Sequence, residues 1–154
     1  MLFDENRSPR EFAVHTLEEI RQQFETAFHP DTASQGSMGD IPSTGHCAVA
    51  AIIVQNIIGG DFVSASVNGI SHWFNRVCFR NSLFDIDLTA DQFGGPPILI
   101  ADADCLYPET RIRTYQELTT ETLIRAARFA HRARFNGTEI EISATIKARL
   151  PECE

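Results

Sequence analysis

Residues 43–60 read STGHCAVAAIIVQNIIGG and place a single thiol, Cys47, where a small polar loop meets a long apolar run. The run from Ala48 to Val54 is ambiguous by itself, because its β-branched residues would suit a buried strand. Apolar character continues to Ile58, alanine is frequent, and Gly59-Gly60 is a common helix stop, so the stretch predicts a helix over residues 45–58. Ser43 or Thr44 is the expected N-cap. The helix is apolar nearly all round, which predicts a central, buried position. A cysteine in its first turn sits at the positive end of the helix dipole, which favours thiolate, the nucleophilic form. The competing explanation is a small hydrophobe filling the core.

Immediately downstream, residues 61–79 read DFVSASVNGISHWFNRVCF. Asn68-Gly69 between two alternating runs is a strong hairpin signal. A two-residue turn pairs Val67 with Ile70, Ala65 with His72 and Val63 with Phe74, all on one face of the ribbon. That face is apolar except for His72 and is expected to pack on the buried helix, bringing an imidazole towards Cys47 as a base for its proton. Trp73 points to the opposite face. A third strand is expected at 83–88, after a turn around 80–82. An even-numbered loop puts His72 and Asp87 on one face. A two-residue loop is expected to set them directly opposite, and a four-residue loop to make them diagonal. Asp85 has the same parity, so alternation leaves both acids open as the group that orients the imidazole. The alternatives are a satisfied core histidine and edge-strand charges that discourage aggregation.

Outward from this centre, Thr16 to Phe28 reads as a helix with a Thr16/Glu19 capping box and Leu17, Ile20, Phe24 and Phe28 on one face. Pro30 ends it, and a Ser-, Gly- and Asp-rich loop leads to the thiol. His46 suits a loop or helix-start role. Thr89 is placed to cap a short helical turn, TADQF, before a GGPP loop. Residues 98–115 carry no assignable pattern. Residues 120–134 form an amphipathic helix ended by Asn136-Gly137, with Arg125 to Arg134 as its solvated face. Residues 138–147 alternate, with Ile140, Ile142, Ala144 and Ile146 on one side, and read as a strand.

The chain has 154 residues and a formal charge of -8, which suits one domain over 1–154 and argues against phosphate-contacting nucleic-acid binding. No apolar run is long enough for a membrane span, and the N-terminus has no secretory pattern, so the expected location is cytoplasmic. The four cysteines, Cys47, Cys78, Cys105 and Cys153, have neither zinc spacing nor a C-x-x-C pair. They are expected to be free thiols, with no disulfide, no metal and no organic cofactor.

Three ordered stretches, GHCAVAAIIVQNIIGGDF, SHWFNR and DLTADQF, resemble the YunG-like bacterial proteins over Gly45 to Phe93. Where that family has Gln before its cysteine, this chain has His46; the family's Trp-containing stretch before the cysteine is missing. The resemblance implies an α+β, papain-like or transglutaminase-like thiol fold, with a central cysteine-bearing helix on a small antiparallel sheet. It implies Cys47 as nucleophile, His72 as general base and Asp87 as orienting acid, and it selects Asp87 because the D-L-T match begins there. The expected activity is thiol-dependent acyl transfer on a peptide or protein amide, as a peptidase or a Gln/Asn deamidase. A non-catalytic peptide-binding module and a transglutaminase-type translocated effector are the alternatives.

Overall fold

The computed structural model describes residues 9–36 and 38–150, with side chains from residue 16 onward except that of Gln35. Helix α1 (Pro9–Glu25) is followed by α2 (Cys47–Ile58), strands β1 (Asp61–Val67), β2 (Ile70–Phe79), β3 (Ser82–Asp87), β4 (Leu99–Asp102) and β5 (Arg111–Arg113), and helices α3 (Thr120–Arg132) and α4 (Asn136–Arg149). The strands form one antiparallel sheet in the order β4-β3-β2-β1-β5. The architecture is therefore α+β.

The hairpin has the expected register, Val67 opposite Ile70, Ala65 opposite His72 and Val63 opposite Phe74. Its turn needs two left-handed residues, and Asn68 (φ 53°) and Gly69 (φ 77°) supply them. The next turn is also two residues long, with Arg80 and Asn81 both left-handed. It pairs Phe79 with Ser82 and Asn75 with Ile86. Continuing that register sets Asp87 against Phe74, so His72 and Asp87 are diagonal. Direct opposition would require the turn to fall one residue earlier.

Helix α2 is as buried as its composition demands: Val49 to Val54 are all 3% exposed or less, and each Val or Ile so buried contributes about 1.5–3 kcal/mol. It packs, however, on the ribbon face opposite to the one expected. Phe62, Trp73, Val77, Phe84 and Ile86 share its core, and Asn75 Nδ2 donates to the Ala51 carbonyl at 2.9 Å. Val63, Ala65 and Phe74 form a separate cluster with Val67 and Tyr107 on the other face. The face that meets α2 mixes Phe62, Trp73 and Val77 with Ser64, Ser71 and Asn75, so it is not the more apolar of the two. Asn75 is accommodated there by its bond to Ala51, and Ser64 is buried.

Four further expectations are corrected. Helix α1 begins at Pro9, so Thr16 lies within it and is not its cap; Leu17, Ile20 and Phe24 are nevertheless core residues. The residue before α2 is His46, with no side-chain cap, because the Ser43 hydroxyl donates to Asp91 instead. Residues 138–147 belong to a helix, not a strand: Thr138 and Ile142 are buried one turn apart, with Ile146 partly buried a turn later, while Ile140 is 70% exposed. Asn136-Gly137 starts that helix, and α3 ends earlier. There Phe135 N–H bonds the Ala130 carbonyl and Arg134 N–H the His131 carbonyl around a left-handed Arg134.

The arginines of α3 are not simply a solvated face. Arg132 clasps both Asp31 carboxylate oxygens at 2.8 Å, Arg128 donates to the Asp31 carbonyl and Arg125 to the Thr32 carbonyl. The Arg132 guanidinium holds the Asp31 carboxyl down to about 2. These contacts fix the start of the loop that leads to Cys47. Gly45, at φ 79°, closes that loop where a Cβ would stand 3.1 Å from the Ala33 and Ser34 atoms.

Candidate active site

Strand β3 stops at Asp87, so the part of β2 that carries His72 projects beyond its pairing with β3. The turn Ala90–Phe93 and the start of α2 occupy that place. Phe93 meets the His72 ring edge-on at 4.7 Å, and Cys47 lies close enough to the same imidazole to favour its protonated form, lining one small space with Asp87 and Thr89. Helix and histidine thus meet around the end of a strand, although α2 lies on the other sheet face.

The His72 ring is fully buried, flanked by Phe93, Tyr107 and Phe74. Its Nε2 lies 2.6 Å from Asp87 Oδ2. Nδ1 is therefore the nitrogen left for Cys47, and Gln92 Nε2 stands 3.3 Å from it. Burial alone would disfavour the imidazolium, but the Asp87 hydrogen bond and charge, with Cys47 nearby, outweigh it, and His72 is raised to about 9. At neutral pH the ring carries both protons.

Asp87 is 1% exposed and all its acceptor capacity is directed. Oδ1 accepts from the Thr89 N–H at 2.9 Å and from the Thr89 hydroxyl at 3.3 Å. Oδ2 accepts from His72 and from the Tyr107 hydroxyl. Burial and the Asp87 charge push the Tyr107 phenol upward, so it remains a donor. Asp85 is also buried, but it serves a different partnership: Arg76 holds both its oxygens at 2.7 and 3.0 Å, and the Asp104 N–H adds a third bond. The structure thus brings Cys47, His72 and Asp87 together and leaves Asp85 apart.

His46 points away from this cluster. It is fully buried between Phe28 and Phe129, and burial pushes its pKa down to about 4. Its Nδ1 lies 3.1 Å from the Thr44 carbonyl and its Nε2 2.8 Å from the Thr32 hydroxyl, which also reaches the His29 carbonyl. Its role is to anchor the helix start.

Sequence reasoning missed Tyr107, which comes from the stretch without periodicity, and gave Gln92 no role although it lies within the DLTADQF motif. Cys47 is partly exposed, and Cys78 and Cys105 are exposed; all three are free thiols, while Cys153 lies outside the described residues. Among the described residues no cluster of His, Cys, Asp or Glu could hold a metal, and no helix is long and apolar enough to cross a membrane. A cleft of about 630 Å³ between α1 and β4 lies away from the thiol, so chemistry and not cavity size marks the candidate site.

A helix-borne thiol, a buried histidine on the neighbouring strand and a fully bonded aspartate define the class of arrangement: a thiol–imidazole–carboxylate cluster on an α+β domain. Residues 16–127 match the YunG protein family, and this chain belongs to it. Comparison with curated proteins gives no match, and neither does comparison with solved structures.

Proposed function

We propose that this protein is a thiol-dependent acyl-transfer enzyme of papain-like arrangement, with Cys47 as nucleophile, His72 as general base and acid, and Asp87 as the residue that orients the imidazole. The observation that carries this is the Asp87–His72–Cys47 chain, in which a 2.6 Å bond commits Nε2 and leaves Nδ1 to the thiol. In this reading Cys47 passes its proton to Nδ1, giving a thiolate–imidazolium pair before substrate arrives. The sulfur attacks an amide carbonyl of a peptide bond or of a Gln or Asn side chain. The tetrahedral intermediate collapses as Nδ1 gives its proton to the departing nitrogen and the C–N bond breaks. Water then attacks the thioester, losing its proton to Nδ1, and the thiolate leaves with a carboxylic acid as product. An amine in place of water makes the same site a transferase.

The test is capture of the acyl-enzyme. Wild-type protein is incubated with cell extract peptides, quenched in acid and digested. The peptide containing Cys47 should carry a hydroxylamine-sensitive mass increase that is missing from His72→Ala. A mass increase on Cys78 or Cys105 instead, or none on Cys47 across peptide and protein amides, refutes the assignment.

A further inference from the structure

Strand β4 ends the sheet, so one of its edges has no strand beside it. The register says which backbone groups lie on that edge. Asp85 opposes Ala101 and Asp87 opposes Leu99, and the Ala103 N–H bonds the Leu83 carbonyl at 3.1 Å. Bonds to β3 therefore fall on every second residue, at Leu99, Ala101 and Ala103. Between them Ile100 turns its N–H and C=O outward, where no other strand of the described residues meets them.

Helix α1 faces that edge across the cleft of about 630 Å³. Its wall is one stripe of the helix, Glu18, Arg21, Gln22 and Glu25, and the opposite wall includes Ile98, Leu99 and Ile100. Glu18 and Glu25 are exposed. Arg21, between them, is only 6% exposed, and Asp91 takes up its charge, with both carboxylate oxygens bonded at 3.1 and 2.8 Å. Its Nε adds a longer bond of 3.3 Å to Glu25. The rim is therefore net negative. One cleft thus joins a hydrogen-bonding edge, an apolar wall and acidic side chains.

We propose that this cleft binds an extended, basic segment of a partner protein as a sixth strand beside β4. The proposal stands apart from the reading of Cys47. A strand laid there accepts from the Ile100 N–H and donates to the Ile100 carbonyl. Its side chains alternate, and the residue that exchanges these bonds points its side chain to the same sheet face as Ile100, towards α1. Lysine or arginine suits that position: the stem covers Ile98 and Ile100, and the charged end reaches Glu18 and Glu25. The intervening side chains stand beside Leu99 and Ala101 on the other face, where apolar residues fit.

The probe is a fluorescent octapeptide of alternating lysine and valine, titrated into the full chain and followed by anisotropy, with amide exchange read by NMR. Saturable binding is expected, and the Ile100 amide should become protected from exchange. Glu18→Lys should weaken binding about fivefold. Ile100→Pro, which removes an outward N–H and no bond to β3, should weaken it about tenfold. Should that variant fail to fold, the peptide tests the same bonds. Methylating its lysine backbone nitrogens, which face β4, should weaken binding at least about tenfold, while methylating its valine nitrogens, which face away, should not. Absence of saturable binding overturns the proposal. So do equal effects of the two methylations, equal binding of a glutamate–valine octapeptide, or protection that appears away from β4. A wild-type dimer that Ile100→Pro dissociates would put a second copy of the chain on this edge and overturn it as well.

Discussion

Replacing Asp87 with Asn perturbs one bond and should invert the titration of His72. The carboxylate oxygen 2.6 Å from Nε2 becomes part of a neutral amide. Thr89 N–H donates to Oδ1, which fixes the amide so that its NH₂ faces Nε2. Nε2 must then accept, the hydrogen moves to Nδ1, and the ring can no longer take the thiol proton. With its main counterion gone, burial dominates. His72 should fall from about 9 to below its ordinary 6.5. The gap between those two values, 9 − 6.5 = 2.5, corresponds to about 3 kcal/mol. A raised folded value stabilises fully below the unfolded one and is lost as pH rises through the folded one. In the wild type His72 therefore contributes about 3 kcal/mol below pH 6.5, fading as pH rises through about 9. In Asp87→Asn the sign reverses, and stability falls on acidification. Ring-proton NMR across pH 5–10, with urea unfolding at the same values, reads both effects. A wild-type His72 neutral at pH 7.5, or a variant His72 still protonated at pH 8, would refute this reasoning.

Asp85→Asn should leave the His72 titration unchanged and lower stability by up to about 3 kcal/mol, because Arg76 loses its buried partner; a shift of His72 in that variant would mean that the wrong acid is assigned. His46 has a depressed folded value of about 4, so its contribution is lost as pH falls from 6.5 to 4, amounting to about 3 kcal/mol. His46→Gln should lose less stability than the wild type between pH 7 and 4.5 by urea unfolding, and equal losses would contradict the buried neutral ring. Ile142→Ala should cost about 2–5 kcal/mol and Ile140→Ala within about 0.5 kcal/mol, since only the first is buried; equal costs would favour a strand with both residues on one face.

The residues of the candidate site were legible in the sequence for local reasons. A cysteine opening an apolar helix, an Asn-Gly turn that sets the register of His72, and an even-numbered turn that keeps Asp87 on the His72 face are short-range signals, and the structure keeps all three. The choice between Asp85 and Asp87 was not local. It depends on Arg76 and the Asp104 N–H claiming the first and on the strand ending at the second. The face on which α2 packs was equally hidden, because Val63, Ala65 and Phe74 make the more apolar face, whereas large side chains, Phe62, Trp73 and Val77, meet the helix from a face that also carries Ser64, Ser71 and Asn75. β4 and β5 are four and three residues long, too short for alternation to register. Residues 138–147 misled because Ile140 imitates a period of two, and burial of Ile142 against α2 and α3 decides for the helix. Tyr107 came from a loop with no period at all, so only tertiary placement could bring its hydroxyl to Asp87.

Competitive alkylation tests the proposed thiolate–imidazolium pair most directly. Native protein is treated with limiting iodoacetamide at pH 6, and the labelled fractions of Cys47, Cys78 and Cys105 are read by mass spectrometry. Cys47, though only partly exposed, should be labelled at least about tenfold faster than exposed Cys105, and His72→Ala should abolish that preference. Labelling of Cys47 no faster than Cys105 in the wild type, with iodoacetamide shown to reach Cys47 at pH 9, would contradict the pair and leave Cys47 as a core thiol.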